Sequence, residues 1–139
     1  RAVLTRVKLR PEFKQLLTVS GIGQILGLTV ILETATAGRF DKVGNYASYC
    51  RCAGSERISN GKRKGRGNKK NGNKYLAWAY IEAANFAVRY NPTIKRYYQR
   101  KRARTNRIVA IKTVAHKLAR ACFYILRDQV PFDVNKAFA

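Results

Sequence analysis

The stretch Leu16-Leu17-Thr18-Val19-Ser20-Gly21-Ile22-Gly23-Gln24-Ile25-Leu26-Gly27-Leu28-Thr29-Val30-Ile31-Leu32-Glu33 sets a glycine-x-glycine turn between two helical runs. Pro11 opens the first run, because its fixed φ suits the first turn of a helix and its missing N–H is not needed there. A helix from Pro11 to about Thr18 follows. Behind the turn, residues 24–33 are strongly apolar, and helical spacing puts Ile25, Leu26, Leu28, Thr29 and Leu32 on one face expected to be buried. Two short helices joined in this way form a helix-hairpin-helix over residues 11–33. Glycines in the turn tolerate positive φ and leave no side chain between backbone amides and an anion. The amides of Gly21, Ile22 and Gly23, at the N-terminus of the second helix, are therefore expected to meet a phosphate. The plainer alternative is a tight αα turn without a ligand.

Working outward, residues 1–10 read as a lead-in from a preceding linker helix, and residues 34–38 as a loop. Asp41 to about Cys50 forms another short helix. Residues 51–73 differ in kind: between Arg57 and Lys74 lie eight Lys or Arg, four Gly and no acid. Nothing there can pack a core, so a basic loop or short β-hairpin that orders on a polyanion is expected. Residues 74–128 form the helical core. Leu76, Tyr80, Ala83, Ala84, Ala87 and Val88 recur at helical spacing up to Tyr90, and Trp78 and Phe86 are read as core beside Tyr80. Asn91-Pro92 breaks the chain into a basic helix from Thr93 to Arg104, with Lys95, Arg96, Arg100, Lys101, Arg102 and Arg104. The longest helix runs from about Asn106 to Asp128 on a stripe of Ile111, Val114, Ala115, Leu118, Cys122, Ile125 and Leu126. Pro131-Phe132-Asp133 closes the ordered part and residues 134–139 are a tail. The fold expected is all-α: a compact helical domain with a helix-hairpin-helix and an inserted basic loop or short β-hairpin.

Charge narrows the function. The 139 residues hold 29 Lys plus Arg against 7 Asp plus Glu, a formal net charge of +22, yet 46% are hydrophobic. Such self-repulsion opposes compaction, and a polyphosphate partner relieves it by counterion release. The bases lie in several blocks rather than on one amphipathic helix, and no apolar run reaches the ~18 residues of a membrane span. A cytoplasmic or nucleoid-associated protein is expected, with no membrane partner. Cys50, Cys52 and Cys122 are odd in number and read as reduced thiols. Zinc would need a fourth ligand; His116 is the sole nitrogen candidate and no Cys-x-x-Cys supports it, so no metal is expected and His116 is read as structural. Residue 1 is Arg and the chain has no Met, which suggests a piece of a longer protein whose missing part carries half the active site.

The order of parts resembles a known family. Leu16 to Gly23, Arg39-Phe40, Tyr46-Ala47-Ser48-Tyr49, Ser59-Asn60-Gly61, Lys62 to Gly67, Gly72-Asn73-Lys74-Tyr75-Leu76, Arg104 to Leu126 and Val130-Pro131-Phe132-Asp133 are together similar to the C-terminal domain of insertion sequence 110/116/902 family transposases. The likeness spans residues 10–133. Two places depart from it: Ser20 stands where many members have Pro, and Cys50-Arg51-Cys52-Ala53-Gly54 replaces a usual Ala-Gly-Leu-x-Pro stretch.

The resemblance implies a transposase or site-specific DNA recombinase with a RuvC-like N-terminal domain that holds divalent metal (Mg) on four acidic residues. It also implies an element-encoded guide RNA and a homo-oligomer of the full-length enzyme. By the family's pattern, Ser59 is the nucleophile that forms a covalent phosphoserine link to DNA, with Ser55 its rival because of the second departure. A serine hydroxyl needs a base or metal to activate it, so this piece alone is expected to bind without cleaving. Lys62, Arg63, Lys64, Arg66, Lys69, Lys70 and Lys74, with Arg100, Lys101 and Arg102, are the candidate DNA or RNA contacts. The competing class is a non-catalytic helix-hairpin-helix DNA- or RNA-binding module.

Overall fold

A computed structural model describes residues 10–51 and 72–138. Among these residues the regular structure is entirely helical: α1 Pro11–Leu16, α2 Gln24–Thr34, a 3-10 turn Ala37–Arg39, α3 Val43–Tyr49, α4 Lys74–Tyr90, α5 Pro92–Arg104, α6 Arg107–Asp128 and α7 Val134–Phe138. Each of the three long helices starts at an asparagine whose side-chain oxygen satisfies first-turn amides that have no partner within the helix. Asn73 Oδ1 accepts from the Tyr75 and Leu76 amides at 2.9 Å. Asn91 Oδ1 accepts from Thr93 and Ile94 at 3.0 and 3.2 Å, and Asn106 Oδ1 from Val109 at 2.9 Å. Asn91 both ends α4 and caps α5, with Pro92 in the first turn, so the break is a corner of no extra length. At the far end of α6, Gln129 turns into the left-handed region (φ 54°) and its amide bonds the Ile125 carbonyl.

Helix α6 is the centre of the molecule and packs on α1, the 3-10 turn, α3, α4, α5 and α7. Its buried side holds Ala110, Val114, Ala115, Leu118, Ala119, Cys122, Phe123 and Ile125, which is the expected stripe, with Ile111 and Leu126 half-buried at its margins. Helix α4 answers with Ala79, Ala83, Ala84 and Ala87, all buried. Small side chains there let neighbouring backbones approach closely. Inside the core, Thr34 Oγ1, Tyr46 OH and Tyr80 OH form a buried chain of hydrogen bonds at 2.7 and 2.9 Å. Burial drives both phenols well above the usual tyrosine range, so they stay neutral and serve as structural hydroxyls.

Four expectations are corrected. On α2 only Leu26 of the expected face is buried; Ile25 and Leu32 are 72% and 51% exposed, and the helix instead turns Leu26, Gly27, Val30, Ile31 and Thr34 inward. A helix apolar nearly all round carries no facial signal, so tertiary contacts choose the face. Gly27 lies on Phe13, whose ring would stand 3.2 Å from an added Cβ, and Thr34 must reach Tyr46. Trp78 and Phe86 are 50% and 41% exposed while Tyr80 is fully buried, because the alanine stripe, not the large aromatics, faces the core. Finally, residues 134–138 are not a tail: α7 seats Phe138 edge-on against Tyr97 at 5.3 Å. The first helix also stops early, at Leu16, where the Thr18 and Val19 amides switch to carbonyls three residues back.

Candidate functional site

The two glycines of the turn do different things. Gly21 has φ +94°, and a Cβ there would run into the Ala83 carbonyl and stand 3.1 Å from the Ala87 amide nitrogen, so it lets the turn lie on α4. The Ile22 side chain is buried and its amide already donates to the Val19 carbonyl at 3.1 Å; of the three expected phosphate donors, that N–H is in use. Gly23 has extended backbone and open space where a Cβ would go. It caps α2 without any side-chain bond, and no acid sits in the first turn. The N-terminal amides of an 11-residue helix thus face outward, carrying the positive end of its dipole.

Two asparagines lock this turn and α2 to α4. Asn91 Nδ2 donates to Ser20 Oγ at 2.7 Å, while Asn73 Nδ2 donates to Glu33 Oε1 at 2.9 Å and to Tyr49 OH at 3.2 Å. Ser20 precedes the start of α2 and Glu33 lies in its last turn, so α2 runs antiparallel to α4 with a clamp at each end. As a result the open N-terminus of α2 lies near the corner where α5 begins. Neither asparagine was singled out as a cap from the sequence, although its place just before a helical run is a local signal that could have found it; the amide-nitrogen partners, 71 and 40 residues away, carry no local signal.

From that corner α5 presents Lys95, Arg96, Arg100, Arg102 and Arg104 on its exposed side, with Ile94 and Tyr98 buried opposite. Lys101 is half-buried. None of these cations has an ion-pair partner among the described residues; the pairs there are Arg10–Glu12 at 2.9 Å and Arg127–Asp128 at 2.8 Å, both between near neighbours. Arg100 and Lys117 lie over the Tyr97 ring at 5.8 and 5.2 Å, which steadies the join of α5, α6 and α7. Lys74 is exposed at the start of α4. The remaining expected contacts, Lys62, Arg63, Lys64, Arg66, Lys69 and Lys70, and both candidate nucleophiles, Ser59 and Ser55, lie outside the described residues.

Comparison with protein families settles the lineage. The model of the Transposase IS116/IS110/IS902 family matches residues 13–99. The chain belongs to this transposase family. Its role is therefore in transposition and recombination, and the family implies DNA as its partner. No curated protein and no solved structure matches the chain. The matched residues begin in α1 and end within α5, so they include the turn, both asparagine clamps and most of the cationic helix. Helix α6 lies beyond them and supplies the scaffold.

Elsewhere in this transposase chain the described residues hold no group of three His, Cys, Asp or Glu placed to bind a metal ion. Cys50 and Cys122 are buried, and burial pushes the Cys122 thiol up to about 12, which makes it inert. Cys52 lies outside the described residues. The His116 imidazole is pushed below its ordinary value by partial burial and then by Arg120 and Lys117, so it is neutral at pH 7. No described helix is long and apolar enough to cross a membrane.

Proposed function

We propose that this chain is the DNA-handling and strand-exchange domain of its transposase. The observation that carries the proposal is the exposed face of α5, whose cations have no acidic partner among the described residues and which starts beside the open N-terminus of α2. Thirteen residues of α5 extend about 20 Å at ~1.5 Å each, and duplex DNA carries one charge per ~1.7 Å of axis. The face therefore spans several phosphates. The α1–turn–α2 unit acts as a helix-hairpin-helix that donates α2 amides to one phosphate, and the basic segment of residues 51–74 adds contacts to DNA or to an element-encoded guide RNA.

In this reading Ser59, or Ser55 in its place, is the nucleophile. Its Oγ forms a bond to phosphorus as the bond to the departing strand's oxygen breaks. The hydroxyl proton passes to a base on the RuvC-like domain of the full-length enzyme, and the departing oxygen takes up a proton. That domain also holds the divalent metal, and a homo-oligomer brings two duplexes together in the bacterial cytoplasm. The test is to trap a covalent protein–DNA adduct with the full-length enzyme and repeat it with Ser59→Ala and Ser55→Ala. Loss of the adduct with one variant supports the proposal. Undiminished adduct and transposition with both would refute the serine step and leave a non-catalytic binding module.

A further inference from the structure

Helix α4 turns its alanines inward and leaves every aromatic but Tyr80 in solvent. Tyr75, Trp78, Phe86 and Tyr90 are 54%, 50%, 41% and 72% exposed. Tyr75, Trp78, Glu82, Phe86 and Arg89 follow one another at steps of three and four residues, so they share one face of the helix. Tyr90 adds a ring at its C-terminal end. A row of large rings left in water marks a surface that a ligand covers.

Charge identifies the occupant. Lys74 stands over the Tyr75 ring at 5.4 Å, and Arg89 over the Phe86 and Tyr90 rings at 5.9 Å each. Neither cation has an ion-pair partner among the described residues. Glu82, half-buried, is the one acid of the face and lies between Trp78 and Phe86, with the cations towards the two ends. An apolar protein surface would match the rings but would bury both cations without counter-charge. An unpaired nucleic-acid strand meets every feature: its bases stack on the rings, their exocyclic amines donate to Glu82, and its phosphates pair with Lys74 and Arg89. In a duplex the base faces are hidden within the stack. Exchange of DNA strands exposes unpaired DNA, and the face ends at Arg89 and Tyr90, beside the Asn91 corner where cationic α5 starts. From Tyr75 to Tyr90 it extends about 22 Å at ~1.5 Å per residue, room for several nucleotides.

We propose that the Tyr75, Trp78, Phe86 and Tyr90 face of α4 is a stacking platform for an unpaired DNA strand, with Lys74 and Arg89 on its phosphates. This rests on the reading that the chain handles DNA and is independent of which residue is the nucleophile.

The experiment measures binding of the full-length transposase to an oligodeoxynucleotide without self-complementarity, to the same sequence as a duplex, and to the matching RNA strand. Trp78→Leu/Phe86→Leu keeps apolar bulk on the surface but removes two aromatic faces. Its affinity for the unpaired DNA falls roughly ten- to hundredfold, while duplex affinity changes by less than about threefold and the melting temperature stays at the wild-type value. Trp78→Tyr/Phe86→Tyr, which restores the rings, binds the unpaired strand as wild type does. Lys74→Gln/Arg89→Gln flattens the log–log salt slope on that strand by up to about 1.4. Undiminished unpaired-strand affinity in the leucine variant, with duplex binding intact, would overturn the proposal and leave the DNA-handling reading standing. So would RNA bound more than about tenfold tighter than DNA, or a leucine variant whose sole defect is weaker association with protein. Wild-type enzyme that binds neither form of DNA at low salt would remove the reading on which the proposal rests.

Discussion

Gly21 and Gly23 stand two residues apart in a turn that appears symmetric in sequence, yet their replacement by alanine separates folding from binding. At Gly21 an alanine must hold φ +94°, outside the allowed regions for L-residues, which costs about 1–3 kcal/mol. Its methyl must also displace the backbone of α4 at Ala83 and Ala87, an overpacking worth about 1–3 kcal/mol. Together these give roughly 2–6 kcal/mol against a total stability of about 5–15 kcal/mol. For a chain of this size each kcal/mol moves the melting temperature by about 3–5 °C, so Gly21→Ala melts roughly 6–30 °C below wild type. At Gly23 the backbone is extended and nothing lies within 4 Å, so alanine costs at most about 1 kcal/mol as a poorer cap. Its methyl would instead stand where a phosphate approaches the α2 amides, and duplex affinity falls about tenfold for the loss of one such contact. Thermal melts followed by circular dichroism, with fluorescence anisotropy on a labelled duplex well below both melting temperatures, read the two effects separately. A Gly21→Ala protein as stable as wild type would refute the close seating of the turn on α4. A Gly23→Ala protein with undiminished affinity would refute use of the α2 amides.

Duplex affinity should fall with salt at a log–log slope near −0.9 per phosphate neutralised, and Arg100→Gln/Arg102→Gln/Arg104→Gln should flatten that slope by up to about 2.7; an unchanged slope in a titration would show that α5 does not touch DNA. Tyr46 is the middle of the buried hydroxyl chain and Tyr80 one end of it. Tyr46→Phe strands partners on both sides and destabilises by about 2–3 kcal/mol, Tyr80→Phe by about 1 kcal/mol, and urea unfolding that reverses this order would sink the account of the core. Because His116 is held below its ordinary value of 6.5, the unfolded chain binds its proton more readily; the stability from neutral His116 is full above pH 6.5 and is lost as pH falls through the lowered value. His116→Gln should remove that part of the pH dependence of melting, and a proton-NMR midpoint above 6.5 in the free domain would contradict it.

The long helices were legible because their information is local. Stripes on α4 and α6 repeat over four to six turns, and Asn73, Asn91 and Asn106 each stand directly before the run they cap. The short elements were not. Helix α7 has five residues, too few for a period, and is held by Phe138 on Tyr97, forty-one positions away in the chain. The face of α2 depends on Phe13 and Tyr46, which no periodicity within residues 24–34 can report. In the candidate site the cations of α5 could be read from composition alone. The turn was recognised, but the division of labour between its glycines was not, since it depends on Ala83 and Ala87 lying beneath Gly21.

The clamps at the two ends of α2 also tie the site together mechanically. Eleven helical residues set the distance between the outward-facing amides at Gly23 and the Glu33–Asn73 contact at about 16 Å. A helix of this length, backed by α4 and fixed by Asn91 at one end and Asn73 at the other, cannot change that separation without breaking one of the two clamping hydrogen bonds. DNA held by the α2 amides would therefore sit at a set distance from the base of the basic segment. Loosening either clamp should change that geometry while leaving the charge that attracts DNA untouched, which is why positional effects on strand transfer and electrostatic effects on affinity are expected to separate in this fold.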